Sequence, residues 1–219
     1  MTATNAVQVR TLALADLTEA DLEASRAVLS DAERQRADRF VFPASRSEYI
    51  AAHGLVRQML GDLVGCAPAD LVFAVAKEGG KPFLTDPPGA GIDFSLSHAT
   101  GMVACAVGFG CAVGIDLEPL DRRVSLGIAR RFFAADEYAW LTGLAEDAQP
   151  AAFLHLWTLK EAVAKAVGLG IQLGFDAFSV RPDPPRLEVP PPGSGTGWRL
   201  EQWQPGPGHV AALAVLERL

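Results

Sequence analysis

The chain lays down one pattern twice, and that repetition limits the folds open to it. Residues 7–14 alternate as a strand, and helical periodicity follows over 19–29, 31–40 and 46–60. Strands are expected next at 71–76, 92–96 and 102–107. From residue 112 the order recurs. A strand runs to 117, helices are expected over 125–133, 136–144 and 151–167, and strands close the half at 178–181, 198–203 and 210–216. Few residues match between the halves, so the repeat is one of pattern rather than identity. The expectation is an α+β pseudo-dimer of two similar α/β lobes, residues 1–110 and 111–219, with an active site in the cleft between them.

Local signals place the boundaries. Thr18 precedes Asp21, Ser30 precedes Glu33 and Ser45 precedes Glu48, each at the spacing of a capping box. Residues 183–197 are dense in Pro and Gly and read as an exposed loop joining two late strands. In Lys77-Glu78-Gly79-Gly80-Lys81-Pro82 two glycines free the backbone to approach a ligand. Taken alone, that segment reads equally as a phosphate contact through Lys81 and as a hairpin turn with a solvated lysine.

Composition narrows the function classes. The chain has 219 residues, 49% of them hydrophobic and 21% charged, which is globular rather than disordered or membrane-spanning. A net charge of −7 argues against general affinity for nucleic acid or anionic membrane, so an anionic ligand needs a local site. Cys66, Cys105 and Cys111 have no CxxC spacing, and the first ten residues lack a basic stretch followed by an apolar one. A reducing, cytoplasmic setting is the expectation, with the cysteines as small packing residues.

Two motifs carry chemistry. In Gly114-Ile115-Asp116-Leu117-Glu118 the two acids sit two apart in a strand and therefore share a face. In the helix over 151–167, Leu156, Leu159, Val163 and Val167 form an apolar stripe, with Trp157, Glu161 and Lys165 on an adjacent one. Gly168 and Gly170 end that helix. Three carboxylates with Lys160 and Lys165 suit a magnesium ion held against a pyrophosphate. The competing explanation of Glu161 and Lys165 alone is a surface ion pair.

The run Trp157-Thr158-Leu159-Lys160-Glu161-Ala162-Val163-Ala164-Lys165-Ala166, with Gly168 and Gly170, closely resembles the WxxKEAxxKxxGxG signature of 4'-phosphopantetheinyl transferases. Residues 114–118 resemble the GxDxE motif of that family, Ser97-His98 its Ser-His element, and Gly80-Lys81-Pro82 its GKP element. Arg131-Phe132-Phe133 with Glu137 fits the helix that follows GxDxE. The resemblance is to the large, monomeric, surfactin-synthetase-activating type, in which two similar lobes hold coenzyme A.

That resemblance implies transfer of the phosphopantetheine arm of coenzyme A to a serine of an apo acyl carrier or peptidyl carrier protein, releasing adenosine 3',5'-bisphosphate. It implies Mg2+, with Mn2+ sharing the same ligand preference. By resemblance Asp116, Glu118 and Glu161 are the metal ligands. Glu161 is the candidate base, alongside a water held by Asp116 or Glu118, and Lys165 lies against the pyrophosphate, with Lys160 as second choice. Coenzyme A contacts fall to Lys81, Ser97 and His98, and the 3'-phosphate to Arg36 and Arg46, chosen from Arg34, Arg36, Arg39, Arg46 and Arg57. Glu33 departs from the pattern, since some members carry a basic residue there. An acidic carrier protein would meet a docking patch of Arg122, Arg123, Arg130 and Arg131 with Phe132 and Phe133. Two other readings compete: a magnesium-dependent hydrolase of nucleotides or pyrophosphates, and a noncatalytic carrier-binding module with the same fold.

Overall fold

The computed structural model describes residues 7–76, 80–89 and 91–217. It divides into two compact units, Met1–Cys111 and Ala112–Leu219. The first contains β1 (Val7–Ala13), α1 (Glu19–Ala27), α2 (Asp31–Asp38), α3 (Pro43–Val64), β2 (Val72–Val75), β3 (Pro82–Asp86), β4 (Ile92–Ala99) and β5 (Met102–Phe109). The second contains β6 (Cys111–Pro119), α4 (Leu126–Phe132), α5 (Ala135–Thr142), α6 (Gln149–Val167), β7 (Ser179–Pro182), β8 (Pro185–Val189), β9 (Trp198–Trp203) and β10 (His209–Glu217). No helix among the described residues is long and apolar enough to cross a membrane.

The two units share a topology. In the first, a three-stranded sheet has the order β1-β5-β4, with a separate β2-β3 hairpin; in the second the order is β6-β10-β9, with a β7-β8 hairpin. The pairs β1-β5, β4-β5 and β9-β10 are antiparallel. In each unit the longest helix supplies the core. Leu55, Val56, Met59 and Leu60 of α3 pack with Phe94, Val103, Cys105 and Val107. Leu156, Leu159 and Val163 of α6 pack with Val210, Ala212 and Ala214. The Cys105 thiol is buried there, which pushes its pKa up to about 12. This is an inert packing residue, as the sequence implied.

Capping boxes form at Thr18 with Asp21 and at Ser30 with Glu33. The one expected at Ser45 does not. Pro43 starts α3 earlier, where its missing N–H costs nothing, and Phe42 is the cap residue. Glu48 is then released to accept a hydrogen bond from Gly101 N at 2.8 Å. Residues 183–197 also depart from the expected loop, because β8 pairs with β7 there. Its period-2 alternation is hidden between prolines, which an edge strand tolerates. Leu187 anchors β8 on the second core. The element without an expected counterpart in the first unit is β3, the topological equivalent of β8. Residues 77–79, part of the glycine segment, lie outside the described residues.

An ion pair with a buried cation recurs at the same point of each unit. Glu33, at the third position of α2, accepts from Ser30 N at 2.8 Å and from Arg57 Nε of α3 at 2.9 Å. Arg57 also donates to Pro68 O and Leu71 O, just before β2. Glu137, at the third position of α5, accepts from Ala134 N at 2.9 Å and from Lys160 Nζ of α6 at 2.7 Å. Lys160 also donates to Phe178 O, just before β7. In both units an acid caps its own helix and ties the long helix to the next strand.

These pairs correct two expectations. Lys160 is fully buried, and its three ammonium hydrogens are taken by both Glu137 oxygens and Phe178 O, so none is left for a pyrophosphate. Arg57 is likewise buried and engaged, so it leaves the supply of 3'-phosphate ligands. Glu33 stands where a basic residue was expected because it is the structural partner of Arg57.

Burial drives Glu137 up and Lys160 down in pKa, opposed by their mutual attraction. Removing one partner leaves the other charge unpaired, so Lys160→Ala is expected to lose about 3–5 kcal/mol in a urea titration. Burial also pushes Glu33 up, but hydrogen bonds from His53, Ser30 and Arg57 outweigh it and hold its pKa at about 2, against an ordinary 4.5. A depressed carboxylate stabilises the fold above its unfolded pKa and loses that contribution as pH falls from 4.5 toward 2. Urea midpoints of the parent and Glu33→Gln should therefore differ near pH 6 and converge as the pH falls through that window.

Candidate active site

Gly114, Asp116 and Glu118 occupy alternate positions of β6, and their shared face lies on α6. At Gly114 the two elements nearly touch. A Cβ there would stand 1.9 Å from the Ala162 carbonyl oxygen and 2.5 Å from Ala166 N, both of them backbone atoms. Two residues along, Asp116 Oδ1 accepts from Lys165 Nζ at 2.7 Å, and the same ammonium donates to Ile115 O at 3.0 Å. Two residues further, Glu118 pairs with Arg122 and lies beside the Trp157 side chain, which favours its ionised form. Strand and helix thus cross in antiparallel register, which brings the acids of one motif onto the stripe of the other. Gly168 closes α6 in the left-handed conformation, with φ of 80°.

Trp157 joins this site to the core. Its ring stacks on Phe153 at 5.8 Å and meets Phe175 edge-on at 5.6 Å. The Arg122 guanidinium lies over it, 5.6 Å from the ring centroid. Arg122 therefore faces the carboxylates, and Phe133 is buried in the second core. Of the expected docking patch, Arg122 is exposed but paired with Glu118, and Arg123, Arg130, Arg131 and Phe132 are exposed as well.

The three carboxylates share one electrostatic field. Burial is the largest influence on Glu161, the charge of Asp116 is next, and Glu118 adds to it; against the pull of Lys165 and Arg122 its pKa is pushed up to about 7. Glu118 is also raised, first by burial and then by Asp116. Such a set resists ionising together, and a bound cation relieves that resistance. The donors are all oxygen, which suits a hard divalent ion. Among the described residues no three His, Cys, Asp or Glu side chains form a ready metal cage; Lys165 and Arg122 hold two of the acids instead.

The other expected site residues belong to the first unit. Ser97 and His98 are neighbours on β4, with Ser97 buried and His98 exposed; His98 Nδ1 lies 3.7 Å from Glu48 Oε2. Lys81, just before β3, is paired with Asp93. Arg36 is exposed at the end of α2, over the Tyr49 ring at 5.7 Å and beside Arg39 in a surface depression. Arg46 is exposed on the first turns of α3 and donates to Phe40 O at 3.1 Å. Arg122 escaped the sequence reading as a partner of the site. Its only signal is a basic residue four positions after Glu118, separated from it by Pro119.

Comparison with known proteins gives the class. Residues 112–214 match the model of the 4'-phosphopantetheinyl transferase superfamily. The chain is 36% identical over 204 residues to 4'-phosphopantetheinyl transferase HetI of Nostoc sp., covering 91% of this chain and 84% of that protein. It is 30% identical over 200 residues to 4'-phosphopantetheinyl transferase Sfp of Bacillus subtilis, covering 91% and 87%. A holo-(acyl-carrier-protein) synthase of Bacillus anthracis, solved in complex with CoA (3',5'-ADP), aligns with 49% of this chain and 96% of that one, at 25% identity and a TM-score of 0.40. The chain belongs to the 4'-phosphopantetheinyl transferase superfamily, among the larger, Sfp-like members.

The crossing at Gly114 generates a direct test. Gly114→Ala places a methyl group against immovable backbone, so β6 must lift from α6 at a cost of about 1–3 kcal/mol or more. The expected result is a lowered thermal midpoint together with a transferase activity that falls further than the loss of folded protein accounts for.

Proposed function

We propose that this protein transfers the 4'-phosphopantetheine arm of coenzyme A to a serine hydroxyl of an apo acyl carrier or peptidyl carrier protein. The observation that carries the reading is the convergence of Asp116, Glu118, Glu161 and Lys165 on one strand-helix crossing in a chain of this family. In the reaction the serine oxygen forms a bond to the phosphorus that carries the pantetheine arm. The bond from that phosphorus to the bridging pyrophosphate oxygen breaks, and adenosine 3',5'-bisphosphate leaves with the electron pair.

Chain residues divide the work. Asp116, Glu118 and Glu161 would hold a Mg2+ or Mn2+ ion, which supplies neutralising charge at the pyrophosphate. Lys165 adds a fixed positive charge where negative charge builds on the leaving group. Glu161 receives the serine proton, directly or through a water. In the first unit Lys81, Ser97 and His98 contact coenzyme A, and the forked guanidinium groups of Arg36 and Arg46 bind its 3'-phosphate. The exposed Arg123, Arg130 and Arg131 with Phe132 offer a basic, partly apolar face to an acidic carrier. A cytoplasmic monomer is part of this reading.

An intact-mass assay of an apo carrier with this protein, coenzyme A and Mg2+ should show one added phosphopantetheine arm, abolished by a chelator. Lys165→Gln should lower kcat roughly a hundredfold. A Glu161→Gln variant that binds coenzyme A and turns over near the parental rate would remove both roles assigned to Glu161. Cleavage of coenzyme A without any carrier would favour the hydrolase reading instead.

A further inference from the structure

Two of the three acids at the crossing already hold a cation from the chain. Lys165 sits on Asp116, and Arg122 on Glu118. Arg122 is brought there by the end of β6. Leu120 N donates to Gly208 O at 2.7 Å, pinning the chain, and Arg122 N donates to Pro119 O at 3.2 Å, closing a turn. The turn folds the guanidinium back onto the acid four residues earlier and over the Trp157 ring. Glu118, Arg122 and the Trp157 ring thus form one cluster.

The two partners of this pair differ in freedom. The Glu118 side chain is 15% exposed and stands on a strand, whereas that of Arg122 is 39% exposed on a turn. The arginine can swing into solvent; the carboxylate stays. A guanidinium and a divalent ion draw on the same carboxylate oxygens, and both cannot use them fully at once.

We propose that Arg122 is a built-in counter-ion of Glu118 that a divalent cation must displace, so that it holds down the metal affinity of the free protein and couples metal binding to coenzyme A. The inference rests on the metal role assigned above to Asp116, Glu118 and Glu161. The coupling follows from charge. A displaced guanidinium loses its partner, and an arriving pyrophosphate offers it another that suits its planar fork. Metal therefore binds more readily once coenzyme A is present, and by reciprocity coenzyme A binds more readily once metal is present.

The test is Mn2+ binding to the full chain, followed through the paramagnetic signal of the free ion, with and without coenzyme A. Arg122→Gln keeps a polar side chain of moderate length but no charge; Arg122→Lys keeps the charge. Without coenzyme A, Arg122→Gln is expected to bind Mn2+ roughly three- to tenfold more tightly than the parent and to gain less from coenzyme A. Arg122→Lys should stay close to the parent. Equal or weaker Mn2+ binding by Arg122→Gln, beside a parent that binds and an Asp116→Asn variant that does not, overturns the inference and leaves the metal site standing. Absence of binding in parent and variant alike, or unchanged binding in Asp116→Asn, overturns the metal site itself and the inference with it.

Discussion

The contact on which the site depends is the backbone-to-backbone approach of β6 to α6 at Gly114. With the Ala162 carbonyl oxygen 1.9 Å from where a Cβ would stand, only hydrogen fits. Everything chemical follows from that distance. Because side chains on a strand repeat every two residues, laying Gly114 on the helix also lays Asp116 and Glu118 on it. Because helix residues four apart stack, the same line carries Trp157, Glu161 and Lys165. A larger residue at 114 would lift Asp116 and Glu118 away from Trp157, Glu161 and Lys165.

The crossing needs a rigid frame, and each unit has one built on an ion pair with a buried cation. Glu33 with Arg57 and Glu137 with Lys160 occupy equivalent places: third position of the second helix, interior of the third, with a carbonyl before the following strand. Such pairs are expensive to desolvate and costly to break. Each is nearly saturated with hydrogen bonds, which is the condition under which a buried pair holds geometry. The repeat between halves, thin in residue identity, is thus kept in chemistry. It also explains why two basic residues of promising sequence context, Arg57 and Lys160, are absent from the ligand-facing set.

The candidate active site has the opposite character. Burial and the neighbouring charge of Asp116 raise Glu118 and Glu161, and the chain answers three acids with two cations. The imbalance leaves a place for a further positive charge, and the rim cation, Arg122, is the one free to move. The frame is built from pairs that stay closed, the site from pairs that open.

Much of this was legible in the chain itself. Alternation and helical periodicity placed the eight strands and six helices that were expected, since burial of one face imposes its period on the residues. The GxDxE and WxxKEAxxK spacings by themselves put the acids and Lys165 on matching faces. What periodicity could not report was the pair β3 and β8, whose alternation is broken by neighbouring prolines, or the true start of α3, where Pro43 outcompeted a good capping box. Nor could it separate Lys160 from Lys165. Five residues apart on one helix, they point in different directions, one into the core and one onto Asp116, and only the packing of α6 on its sheet decides which lysine meets water and which meets Glu137. Sequence alone determined which chemical groups this protein carries and at what spacing. Tertiary structure decided which of them were consumed in holding the fold and which were left for the reaction, because a charge is committed by its neighbours in space and not by its neighbours in the chain.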